Sequence, residues 1–196
     1  LKTNSILDEG NRLFLQGNFE QAINYYDKIL DDDPKHISSL NNKGYALSKL
    51  KDFTNAMKCY DIALQICPDD LFVLINKISS FRKQGNLVEA LMICDNILKK
   101  NKNYNIVLYH KERILFSMKK FDESISCCNS ILEDYPDNGD VLFDKASNFA
   151  MLSNFDDALN SLEHSICQGI QYKIKAKKSK SFENLSNNTR FQNLIS

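Results

Sequence analysis

Glycine and histidine are scarce in this 196-residue chain, with six of the first and three of the second. The glycines stand singly, so no glycine-rich loop is present to cradle a phosphate. His36, His110 and His164 are far apart, with no second histidine or carboxylate at metal-ligand spacing and no nucleophile expected beside them. These gaps argue against an enzyme, a cofactor and a metal site. Net charge is missing too. The 25 basic residues balance 25 acidic ones, so no global field draws the chain to nucleic acid or a membrane surface. No apolar run approaches the ~20 residues of a membrane span. No signal peptide is visible, although the chain opens on Leu1 and leaves a removed leader or anchor open. The six cysteines (Cys59, Cys67, Cys94, Cys127, Cys128 and Cys167) form no C-x-x-C pair. They read as buried free thiols, which suits a reducing, cytoplasmic compartment.

What the chain does have is repetition. The stretch from Ile37 to Asp70 recurs at a fixed spacing of 34 residues. Phe53 has counterparts in Phe19, Leu87, Phe121 and Phe155, and Ala56 in Ala22, Ala90, Ser124 and Ala158. Leu64 matches Leu30, Leu98, Leu132 and Ile166, while Leu47 matches Leu13, Phe81, Leu115 and Phe149. Two helical patterns in each copy, separated by breaks such as Gly17-Asn18 and closed by Pro34, Pro68 and Pro136, predict an array of helical hairpins. The copies divide the chain into 3–36, 37–70, 71–104, 105–138 and 139–172, followed by a lysine-rich helix and short cap over 173–196. Charge alternates along them: 3 basic and 7 acidic residues in the first, 6 and 2 in the third, 1 and 5 in the fifth, 6 and 1 in the tail.

Gly44, Leu47, Phe53, Ala56, Tyr60, Ala63 and Pro68, at their spacing, resemble the tetratricopeptide repeat (TPR), of the kind found in prokaryotic TPR proteins. The resemblance implies an all-α fold, a right-handed superhelical solenoid of antiparallel helix pairs with C-terminal capping helices. It also implies a concave groove lined by the first helix of each repeat, where a peptide or helix of a partner protein lies.

Carried over by register, the groove holds Asn11, Asn41, Asn42, Tyr45, Ile75, Asn76, Arg82, Tyr109, His110, Arg113 and Phe143. Asn42 and Asn76 resemble two rungs of an asparagine ladder that clamps a ligand backbone, ended by His110 and Asp144. The carboxylate clamp of chaperone-binding relatives is not matched, because Leu7 stands where it needs a lysine. Leu7, Phe14, Phe72, Ile106 and Phe116 add apolar surface, and Arg82 and Arg113 offer an acidic anchor. The function implied is a non-catalytic protein-interaction module. The alternatives are a self-associating scaffold, including a homodimer or a groove filled by the chain's own tail, and, trailing, nucleic-acid binding through the lysine-rich third repeat and tail.

Several local expectations follow. Ile78 and Glu112 replace the glycines of Gly10 and Gly44, which predicts looser helix approach in repeats three and four. Lys102 and Ile170 replace the proline, so the second helix of repeat three runs on through Lys99-Lys100-Asn101-Lys102. Phe53, Phe121 and Phe155 pack between successive repeats, each worth about 3–5 kcal/mol. Lys43, Lys77, Lys111 and Lys145 lay their stems on apolar surface with their heads in water.

Overall fold

A computed structural model describes residues 2–102 and 104–196, Lys2 in its backbone only. Among the described residues every regular element is helical. The chain forms two compact units, one reaching to Ile93 and the other from Cys94 to Ser196.

The first unit contains α1 (Lys2–Leu15), α2 (Phe19–Asp32), α3 (Ile37–Lys49), α4 (Phe53–Ile66) and α5 (Leu71–Gln84). Its hairpins close on a glycine–tyrosine fit. A Cβ on Gly10 would lie 2.8 Å from the Tyr26 ring, and one on Gly44 would lie 2.7 Å from the Tyr60 ring. Only glycine lets the tyrosine lie flat across the opposing helix. Tyr26 and Tyr60 are consequently sealed, in clusters with Leu13, Ala22 and Ala46, and with Leu40, Leu47, Ala56, Ala63 and Val73. Their hydroxyls are still satisfied. Tyr26 donates to Asn11 Oδ1 at 3.0 Å. Tyr60 lies 3.3 Å from Ser80 Oγ, which donates to Ser48 at 2.8 Å, so one buried chain ties α3, α4 and α5.

α6 (Leu87–Lys100) carries the chain from one unit into the other. It stops at Lys100 rather than running on, although no proline follows it. The second unit holds α7 (Asn105–Ser117), α8 (Phe121–Asp134), α9 (Gly139–Met151) and α10 (Phe155–Gln168). A cap follows, built from α11 (Gln171–Lys178), a 3-10 turn over Lys180–Leu185, and α12 (Thr189–Ile195). The drifted crossing positions are filled by side chains rather than left as gaps. Ile78 is fully buried and Glu112 is 3% exposed. At Glu112 the reason is a size exchange, because Cys128 and Ser124 occupy the columns of Tyr60 and Ala56 on the facing helix.

One backbone feature recurs in every hairpin. Gly17, Lys51, Gly85, Lys119 and Ser153 all have positive φ, at 81°, 65°, 90°, 60° and 61°. The next N–H reaches back to the carbonyl five residues earlier each time: Asn18 to Leu13, Asp52 to Leu47, Asn86 to Phe81, Lys120 to Leu115 and Asn154 to Phe149. These are Schellman closures, which satisfy carbonyls that the helix end leaves open. Side chains cap helix starts both after these turns, as Asp52 does for Asn55 N–H, and between repeats, as Asp70 does for Val73 and Asn138 for Val141. His36 does the same for Ser39, a structural role for one of the three histidines.

Two further expectations need correction. The lysine column is not simply solvated: Lys43, Lys77 and Lys111 pair with Asp27, Asp61 and Asp95, the last at 2.7 Å. All three pairs are partly exposed, so each is worth no more than ~1 kcal/mol. Phe121 also has a ring partner inside its own hairpin, 5.5 Å from Phe116, as Phe19 has in Phe14 at 5.2 Å. Of the thiols, Cys59, Cys94, Cys127 and Cys128 are buried, but Cys67 is half-buried and Cys167 exposed.

Candidate functional site

The first compact unit brings its asparagines together more tightly than a ligand-only ladder requires. Asn42 Nδ2 donates to Asn11 Oδ1 at 2.8 Å, and Asn76 Nδ2 donates to Asn41 Oδ1 at 2.9 Å. Each first helix is thus stitched to the one before it, and half of each amide is already used. A cleft of about 280 Å³ opens beside them, edged by Leu7, Ser38, Asp70 and Phe72. Phe72 is 77% exposed, far more than a core aromatic tolerates. Tyr45 stands against Phe14 with ring centroids 5.0 Å apart. Ile75 and Arg82 are half-buried on α5.

The second compact unit repeats this cleft two repeats further on. There Asn105, Ile106, Tyr109, Asn138, Asp140 and Val141 stand in the register of Ile37, Ser38, Asn41, Asp70, Phe72 and Val73. With Ile131 and Tyr135 they enclose about 420 Å³. Tyr109 supports Arg113, whose guanidinium carbon lies 5.3 Å over its ring. His110 is half-buried next to them on α7.

Phe143 does not share this exposure. It is 6% exposed, with Tyr172 at 6.1 Å and Phe182 at 5.6 Å. The cap folds over the face on which a ligand was expected to meet it, so Phe143 is core. The chain's own tail occupies that position.

Beneath Tyr109 and Arg113 lies a feature the sequence did not announce. Glu112 accepts hydrogen bonds from Ser124 Oγ at 3.0 Å and from Asn148 Nδ2 at 3.2 Å. Burial, and then the neighbouring Asp144, push its carboxyl up to about 7. Asp144 is pushed up to about 6 by burial, against the pull of Arg113 and Lys175. Two carboxyls thus share one poorly solvated site between α7 and α9. Burial raises the thiols as well, Cys94 to about 12 and Cys127 to about 11, which leaves them inert as nucleophiles. Among the described residues, no three His, Cys, Asp or Glu side chains group as a metal site would need. No helix among them is long and apolar enough to cross a membrane.

Other residues in or near the clefts were also missed. Tyr135 precedes Pro136 in a turn, where an aromatic carries no periodic signal. Lys49 and Lys83 flank Tyr45 from different helices, 5.2 and 5.6 Å from its ring centroid. Their sequence separation hides that meeting.

Models of the tetratricopeptide repeat match residues 37–70 and 12–36. No curated protein matches the chain by sequence. Solved structures match it along most of its length. A tetratricopeptide repeat protein from Parabacteroides merdae is 18% identical, covering 100% of this chain and 83% of its own, with a TM-score of 0.75. YrrB, described as a TPR protein with an unusual peptide-binding site, is 19% identical over 89% of this chain and 91% of its own, with a TM-score of 0.68. The protein MamA is 16% identical over 91% and 95%, with a TM-score of 0.70. At these identities the likeness is one of fold.

Proposed function

Because this chain is a tetratricopeptide-repeat protein, with the fold of a protein-interaction module, we propose that it is a non-catalytic adaptor that holds a peptide or helix of a partner protein against its first helices. The observation that carries this reading is the pair of open clefts in matching register, about 280 and 420 Å³, edged by amides and exposed aromatic rings. Asn11, Asn41, Asn42 and Asn76 supply donors and acceptors suited to a ligand backbone. Phe72, Ile106 and Tyr109 supply apolar contact, which dominates the energetics of such sites. The described peptide-binding site of YrrB, a protein of the same fold, points the same way. Six free thiols suit a cytoplasmic setting.

An array of random dodecapeptides probed with the full chain tests the proposal. A reproducible subset should bind. The double variant Tyr109→Ala/Arg113→Ala should weaken that subset tenfold or more, about 1.4 kcal/mol or more, with an unchanged helical melt. Undiminished binding by the variant would refute the assignment of Tyr109 and Arg113 to the site.

A further inference from the structure

Resting on the peptide-binding reading above, we infer that Lys49 and Lys83, gathered at the Tyr45 ring, form a subsite for a carboxylate-bearing residue of the bound peptide, whose apolar neighbour sits in the cleft between Tyr45 and Phe14. Both ammonium groups converge on one ring, at 5.2 and 5.6 Å from its centroid. Arg82 lies next to Lys83 on the last turn of α5. Among the described residues neither Lys49 nor Lys83 forms an ion pair, unlike Lys43 and Lys77 on the same two helices. Partial burial first, and then the neighbouring cations Lys49 and Arg82, lower the affinity of Lys83 for its own proton. Helix C-termini favour lysine and arginine, which accounts for a cation at each end. It does not account for two of them meeting over a single tyrosine without a carboxylate. An anion placed between them relieves the repulsion and forms charge-assisted hydrogen bonds.

The adjoining cavity defines the rest of the ligand. It measures about 210 Å³ and is lined by Asn11, Phe14, Leu15, Tyr26, Asn42 and Tyr45. Leu15 is 84% exposed at its rim. The volume suits one aliphatic or aromatic side chain, and the two amides suit its backbone. A peptide with an apolar residue beside Asp or Glu satisfies both halves. Polynucleotide fits less well, since a single aromatic pair gives no succession of stacking platforms. The lysines stand on the last turn of α3 and at the end of α5, well away from Leu7, where a chaperone-type clamp would place its lysine.

The same dodecapeptide array, duplicated with every Asp and Glu replaced by Asn and Gln, tests this. The wild-type chain should prefer acidic members over their amide twins by about tenfold, the scale of one charged hydrogen-bond contact. Lys49→Gln/Lys83→Gln should erase that preference while still binding the amide twins. Both lysines are exposed, so the variant should melt like the wild type. Equal binding of acidic and amide peptides by the wild type overturns the carboxylate subsite and leaves the groove reading standing. A preference that survives in the double variant also overturns it, since the anion then sits elsewhere. Failure of every peptide to bind overturns both readings. Tighter, lysine-dependent binding of a labelled twenty-residue oligothymidylate, or abolition of the preference by millimolar inorganic phosphate, reassigns the cluster to those anions and overturns the proposal.

Discussion

Lysine and serine at positive φ carry a cost that glycine does not, because Cβ crowds the following carbonyl by about 1–2 kcal/mol. The turn after each first helix imposes that conformation on Lys51, Lys119 and Ser153, while Gly17 and Gly85 meet it without strain. Nothing lies within 4 Å of a Cβ built on either glycine, so sterics with neighbours do not enter. Lys119→Gly should therefore stabilise the chain by roughly 0.5–1 kcal/mol, the strain relief less the added freedom of the unfolded chain. Gly17→Ala should cost about 1 kcal/mol. Urea midpoints decide the matter, and a lower midpoint for Lys119→Gly would contradict the argument. The repeat spacing makes these five positions legible as turns. Their left-handed backbone is legible only at the two glycines, since lysine and serine give no sign of it.

At the scale of helices, the hairpins were readable because each buries a stripe that recurs every 34 residues, and Tyr60 against Gly44 is written into that period. Contacts that break the period were not readable. Glu112 in a small-residue column looks like drift, yet Ser124 and Asn148 hold it in a built polar site. Phe143 looks like groove surface because the fold-back of the tail has no earlier copy to compare with. The cap is a substantial packing element. Phe182 is 2% exposed, stacks on Phe191 at 5.7 Å and meets Phe143 edge-to-face at 5.6 Å, in one cluster with Ala146, Leu162, Tyr172 and Leu185. Terminal repeats need such a cover over their last apolar face. Phe182→Ala should cost about 3–5 kcal/mol and speed amide exchange in α9 and α11. Ile174→Ala, at a site 53% exposed, should cost under about 0.5 kcal/mol. Similar losses from the two variants would remove Phe182 from the core role given to it.

For the molecule as a whole, the buried carboxyls turn the usual acid side of the stability curve around. Glu112 rises from 4.5 to about 7 and Asp144 from 3.8 to about 6, with burial the first cause in both. Groups whose folded pKa exceeds the unfolded one bind protons more tightly when folded. Their contribution is complete below the unfolded values and is lost as pH climbs through the folded ones. Stability should accordingly fall between about pH 3.8 and 7 by a few kcal/mol and level off above that, because each pKa unit carries about 1.4 kcal/mol. Arg113 and Lys175 draw Asp144 back toward ionisation, so it loses its proton before Glu112 does. Glu112→Gln keeps an acceptor for Ser124 and Asn148 without the charge. It should raise the melting temperature at pH 8, leave it nearly unchanged at pH 5, and flatten the profile between. The profile of the wild type should then exceed that of the variant in slope only across the window from 4.5 to 7. Parallel profiles for the two proteins would show that Glu112 does not titrate in that window.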